Sequence, residues 1–358
     1  MKLLAATPVA ENPSDSTQWK GLQSPLAFGD VRLKAFQRVQ QKVLEREMGK
    51  EDITVPLADI KFVDDVGAID VRSYGRLLVS ELAFSQLCTR LKVPTDYMVR
   101  CPLNLRNANM SYWIEQNDER KVMLRVRKFP ESDQDKEGIG ILRAVLPSSY
   151  EPIDNGRIID WIGAAIEHWD GKLGIQHARI GEVSTHVRLI FKPSVPINED
   201  MDHPFHFGVH VSDSEVGERG FATDFISFRP NHEAGFLHLV EGSHLVSQRH
   251  IHIDFKMLRR DFAESFAVAQ ENQESVTELL NNAAVVNIRD PHSYIRRLVR
   301  HYRLTNDFAE TVIHAYEAEP LATKLGIALA VSRASKRMPI DMRVDTETLI
   351  GNYLLEGA

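Results

Sequence analysis

Two cysteines, Cys88 and Cys101, are all that the 358 residues contain. That is too few for a disulfide scaffold, and their apolar, helix-like surroundings suit buried free thiols in a reducing cytoplasm. No apolar run approaches the roughly 18 residues of a membrane-spanning helix, so no membrane partner is expected. The apolar start at residues 1–10 is short, is broken by Pro8 and runs into a polar stretch, as a flexible tail does and a signal peptide does not. Neither a phosphate-cradling glycine loop ending in Lys-Ser/Thr nor a Gly-x-Ser-x-Gly elbow occurs. There is no repeat and no low-complexity run. Positive charge is scarce as well: 43 Lys and Arg stand against 50 Asp and Glu, a net −7. A general polyanion coat is thereby excluded, and any nucleic-acid site must be a local basic patch.

What is present is an ordinary globular composition, 43% apolar and 26% charged, with length enough for a large core. Residues 1–30 are polar and Pro/Ser-rich, an expected flexible N-terminal arm. Residues 31–253 read as an α+β core domain, a mixed or antiparallel sheet flanked by helices. Residues 254–358 read as a C-terminal helical module. The organising stretch is 139–192: a strand over 139–146, a break at Pro147 and Pro152, a helix over 153–169, then a hairpin turning at Gly181. In the second arm of the hairpin, Val183, Thr185, Val187, Leu189 and Phe191 alternate with Ser184, His186, Arg188, Ile190 and Lys192. Period two marks a half-buried strand, and the second set predicts a wet, basic side. Residues 120–128 alternate likewise, with Met123, Arg125 and Arg127 opposite Val122, Leu124 and Val126.

The helical end adds the densest positive charge. Asp290 caps a helix with Pro291 in its first turn. Ile295, Leu298, Val299 and Tyr302 form its apolar stripe, and Arg296, Arg300 and Arg303 share the other face with Arg297 beside them. Such a face suits phosphates. The acidic helix that follows argues against a helix-turn-helix reader of bases.

The histidines at 203, 206, 210, 250 and 252 lack a His-Glu-x-x-His pattern, and Pro204 spoils helical spacing, so no metal is expected. Asp64-Asp65 and Asp213 with Glu215 admit Mg²⁺ only as a third-rank nuclease reading. No catalytic residue and no cofactor emerges, which turns the reading away from an enzyme.

Several segments together carry a resemblance: Ala83-Phe84-Ser85-Gln86-Leu87 with Val93-Pro94 and Tyr97; Leu142-Arg143-Ala144-Val145-Leu146-Pro147-Ser148-Ser149-Tyr150 with Asp154-Asn155; Ser214-Glu215-Val216-Gly217; and Glu319-Pro320, Leu325-Gly326-Ile327-Ala328 and Ala334. Over most of 80–355 the chain resembles the phage/plasmid-like protein family called domain of unknown function 932. It departs at Asp213, where that family usually has Asn, and at residues 239–242, where many members carry Cys-x-Asn-Gly. The resemblance implies residence in mobile genetic elements, often beside repair or antirestriction genes. The strand-helix-hairpin order is also similar, at the level of fold, to Rad52-type annealing proteins.

The resulting expectation is a DNA-transaction protein that binds single-stranded DNA, with annealing or recombination as its work and a homo-oligomer as its form. Arg125, Arg127, Arg143, His186, Arg188 and Lys192 would meet phosphates, Tyr150 would stack a base, and Arg296, Arg300 and Arg303 would extend the track. The alternative is a counter-defence protein acting through protein–protein contacts.

Overall fold

The structure, a computed structural model, describes residues 30–63, 67–130, 139–170, 172–198, 204–229, 234–238 and 243–355. Residues 1–29 of the expected arm, Asp64-Asp65, residues 131–138, His203 and residues 239–242 lie outside the described residues. No described helix is long and apolar enough to cross a membrane.

After α1 (Asp30–Glu47) the chain builds a six-stranded sheet from β1 (Lys50–Pro56), β2 (Ile60–Val63), β3 (Ala68–Val71), β4 (Gly75–Val79), β5 (Lys121–Lys128) and β6 (Gly140–Pro147). Their order is β1-β5-β6-β4-β3-β2. All pairs are antiparallel except β4 with β6. A parallel pair needs a long crossover, and α2 (Glu81–Leu91), α3 (Thr95–Arg100) and α4 (Leu103–Glu115) fall within it. Ser80 starts α2 by accepting the Ala83 amide, and Lys92 ends it in the left-handed conformation at φ 60°. Ala83, Phe84, Leu87 and Leu91 then pack on Val122, Leu124, Val126 and Leu142. The alternation read from β5 is therefore real. Arg125 and Arg127 occupy the face away from this core.

The second sheet is antiparallel throughout. It follows α5 (Asn155–His168) and consists of β7 (Leu173–Ile180), β8 (Thr185–Val195), β9 (Phe205–Asp213), β10 (Phe221–Arg229) and β11 (Ala234–His238), with β12 (Val246–Gln248) pairing the other end of β10. Gly208 lets β8 and β9 close up, since a Cβ there would collide with the Leu189 carbonyl. One face, including Val187, Leu189, Val209, Val211 and Phe225, joins α1, α5 and the C-terminal helices in the largest apolar cluster. Those helices are α6 (Phe255–Glu271), α7 (Gln273–Val285), α8 (Pro291–His301), α9 (Asn306–Glu317), α10 (Lys324–Ser335) and α11 (Ile340–Leu355).

Both faces of this sheet are covered. Every residue of β9 and β10 is buried. On the face opposite the large core, Ile226 and Leu237 pack with Ile340 and Val344 of α11. This overturns the expected wet side of β8. The alternation is there, but α11 lies over it, and of the expected wet set only Lys192, near the end of β8, is exposed.

Candidate functional site

The arginines expected on the sheets divide between two interior networks. At the junction of the two sheets, the β9–β10 connection swings Glu215 beneath the first sheet. Lys50 Nζ and Arg143 Nη1 each lie 2.7 Å from its carboxylate. Arg125 Nη1 donates to the Glu215 carbonyl at 2.7 Å. Arg125 also pairs with Asp154, and its Nε lies 3.2 Å from Asp52. Glu182, at the β7–β8 turn, takes Arg127 at 2.5 Å and Arg143 at 3.2 Å. The cluster also starts α5. Asp154 turns to Arg125 and makes no side-chain cap, so the Asn155 and Gly156 amides donate instead to Glu215 and Glu47. Carboxylates at a helix N-terminus are favourable.

Electrostatics within this cluster follow from burial working against charge. Burial alone would raise the Glu215 carboxyl, but Arg143, Lys50 and Arg125 hold it down at about 2. Burial likewise opposes the Arg125 charge, yet Glu215, Asp154 and Asp52 raise its pKa. Arg125 and Arg143 are 2% and 6% exposed. Contrary to the expected basic face, neither is exposed: each is buried against carboxylates.

The second network lies between α11 and the polar face of the second sheet. Arg188, fully buried, pairs with the equally buried Glu347, which Arg343 also reaches at 2.8 Å. His186 Nδ1 lies 3.3 Å from His210 Nε2, and its Nε2 lies 3.1 Å from Asp341. Ser184 and Arg219 also bond Asp341, at 3.0 and 2.9 Å. Burial lowers the pKa of His186, against the pull of Asp341, and pushes His210 well down. His186 and Arg188 are thus a covered layer, contrary to their expected role on a nucleic-acid track.

Tyr150 is likewise occupied. Its ring stacks on His250 with centroids 4.8 Å apart, and its hydroxyl donates to the Ser214 carbonyl at 2.9 Å. His250 Nδ1 faces the Glu151 carbonyl at 3.2 Å, and Nε2 lies 3.1 Å from Asp213 Oδ1. A nitrogen facing a carbonyl must carry hydrogen. With Nδ1–H on the carbonyl, Nε2 is an acceptor, and the protonated form of the Asp213 carboxyl donates to it across 3.1 Å. Burial raises the Asp213 carboxyl from 3.8 to about 6, with His250 pulling the other way.

A raised folded pKa gives stability that is complete below the unfolded value and lost as pH rises through the folded one. Two pKa units correspond to about 3 kcal/mol. Asp213→Asn is therefore expected to gain on the wild type as pH rises from 3.8 to about 6, as urea midpoints would show. Parallel pH curves would remove the shared proton.

The helix α8 behaves differently. Its apolar stripe is buried through Ile295, Leu298 and Val299. Arg289, Arg297, Arg300 and Arg303 are exposed around it. Arg296 reaches Glu310 at 3.0 Å, and Arg297 lies over the Tyr294 ring at 5.7 Å. Among the described residues, Arg300 and Arg303 have no carboxylate partner. Of the expected set, Arg300 in the last turn of α8 and Arg303 just past its end, at φ 57°, are both exposed, while Arg296 is already paired.

Sequence reasoning missed the carboxylates Asp52, Asp154, Glu182, Asp341 and Glu347. It also missed a cavity beside β10 and α11 that contains Arg219, Asp224 and His244. No pattern marked these, because their partners come from distant segments. Among the described residues no group of three or more His, Cys, Asp or Glu could hold a metal ion. No family model, curated protein or solved structure matches the chain.

Proposed function

We propose that the protein binds nucleic-acid phosphates through α8 and serves a DNA transaction of a mobile genetic element, with single-stranded DNA as its substrate. The observation that carries this reading is the contrast in arginine use. Arg125, Arg143 and Arg188 are buried against carboxylates, whereas Arg300 and Arg303 are exposed with no described carboxylate partner. Exposed guanidinium groups on an anionic body form the local patch that phosphate recognition needs. The resemblance to phage/plasmid-like proteins and to annealing proteins supports the choice of single strands, and annealing would engage an oligomer.

Titration of a fluorescent single-stranded oligonucleotide and its duplex, each at two salt concentrations, tests this. Tighter binding to the single strand, weakening steeply with salt, is expected. No binding at low salt, with the protein shown to be folded, would refute it.

A second reading, contact with a protein partner in counter-defence, is favoured by the exposed side chains of α3 and α4. Tyr97, Leu105, Tyr112 and Trp113 are each more than 40% exposed. Tyr and Trp carry much of the binding energy at interfaces. In that case the oligonucleotide stays free at every salt concentration.

A further inference from the structure

A cavity of about 430 Å³ opens between the end of β10, β12 and the exposed side of α11. Strand register builds its floor. Ala222 pairs with Ser212 of β9 on one side and with Ser247 of β12 on the other, so the two serines flank it. Asp224, two residues on, is on the same face. Its carboxylate holds His244 by the Nδ1 nitrogen at 2.5 Å, which leaves Nε2 as the available nitrogen. Arg219 lines the same space.

We infer that this cavity binds a small phosphate-bearing organic molecule, with Arg219, His244, Ser212 and Ser247 donating to the phosphate oxygens. The nearby carboxylates are largely committed. Asp224 is taken by His244, and Asp341 by Ser184, His186 and Arg219. Asp345 also lines the cavity, but it is 71% exposed at the rim and 3.9 Å from Arg219. What remains inside is His244 Nε2, the two serine hydroxyls and the Arg219 N–H groups that Asp341 does not take, since a guanidinium carries five donors. Ser212 and Ser247 have no hydrogen bond from their hydroxyls to another described side chain. The bond from Asp224 raises the His244 pKa against the opposing effect of burial, and the protonated ring, held by Nδ1 on Asp224, donates from Nε2. Ala222, Val344 and Leu349 supply an apolar wall for the organic part. The volume falls in the range of small-molecule sites, about 300–1,000 Å³.

This site is independent of α8, and the test keeps them apart. Thermal melting and calorimetric titration of the full chain, at constant ionic strength in chloride, would use inorganic phosphate, deoxyadenosine 5′-monophosphate and deoxyadenosine. The monophosphate is expected to bind saturably and raise the melting temperature, inorganic phosphate to bind more weakly, and deoxyadenosine to do neither. His244→Gln and Ser212→Ala are expected to weaken the monophosphate at least tenfold while melting cooperatively. The paired change Arg300→Gln with Arg303→Gln should leave it unaffected. Binding of deoxyadenosine equal to that of the monophosphate would overturn the inference. So would an undiminished response in both cavity variants, or no response in the wild type.

Discussion

Glu215→Gln is expected to destabilise the protein by about 3 kcal/mol at neutral pH, measured as a fall in the urea midpoint. The figure follows from the depressed pKa: a shift from 4.5 to about 2 corresponds to about 3 kcal/mol at 1.36 kcal/mol for each pKa unit. It agrees with the lower end of the roughly 3–5 kcal/mol lost when one partner of a buried ion pair is removed. The lower end is appropriate because Lys50, Arg143 and Arg125 retain Glu47, Glu182 and Asp154. Since the folded pKa is depressed, the stabilisation is present above about 4.5 and is lost as pH falls through 2. The gap between wild type and variant should therefore shrink in acid. A variant within about 0.5 kcal/mol of wild type at pH 7, the span of an ordinary surface change, would mean that Glu215 does not organise the junction.

Glu347→Gln is expected to have an effect at least as large, about 3–5 kcal/mol, because it leaves Arg188 charged inside the sheet–helix layer. Both partners are essentially without solvent contact. Arg343 is less buried and can turn towards water. Replacing both, Arg188→Met with Glu347→Leu, should restore much of the loss, since a buried pair is often no better than apolar residues of similar size. A double-mutant cycle in urea measures this coupling. Additive effects would show that α11 is held by its apolar contacts alone. The same variant should loosen α11 first, seen as faster amide exchange there.

The sequence was legible where information is local. The β7–β8 hairpin, the α5 helix and the Asp290-Pro291 start of α8 all follow from spacing and capping. The period-two pattern of β8 was also right about which residues share a face. It could not say what covers that face, because Asp341 and Glu347 lie some 155 residues further on. A polar alternation looks the same whether water or a helix with two carboxylates lies above it. Arg125 and Arg127 show the same limit: their common face was legible, but Asp154 and Glu182, which turn it inward, come from other elements. The structure settles the matter by burying every residue of β9 and β10, so that both sides of the sheet are covered there. Surface arginines on α8 were easier to read, since an amphipathic helix fixes its own wet side.

The most direct measurement is the salt dependence of oligonucleotide affinity, compared between wild type and a variant carrying Arg297→Gln, Arg300→Gln and Arg303→Gln. Each phosphate contact on a single strand contributes about 0.7 to the slope of log affinity against log salt. Losing three should flatten that slope by about 2 and weaken binding, without moving the urea midpoint. An unchanged slope and affinity in the variant would contradict phosphate contact through α8.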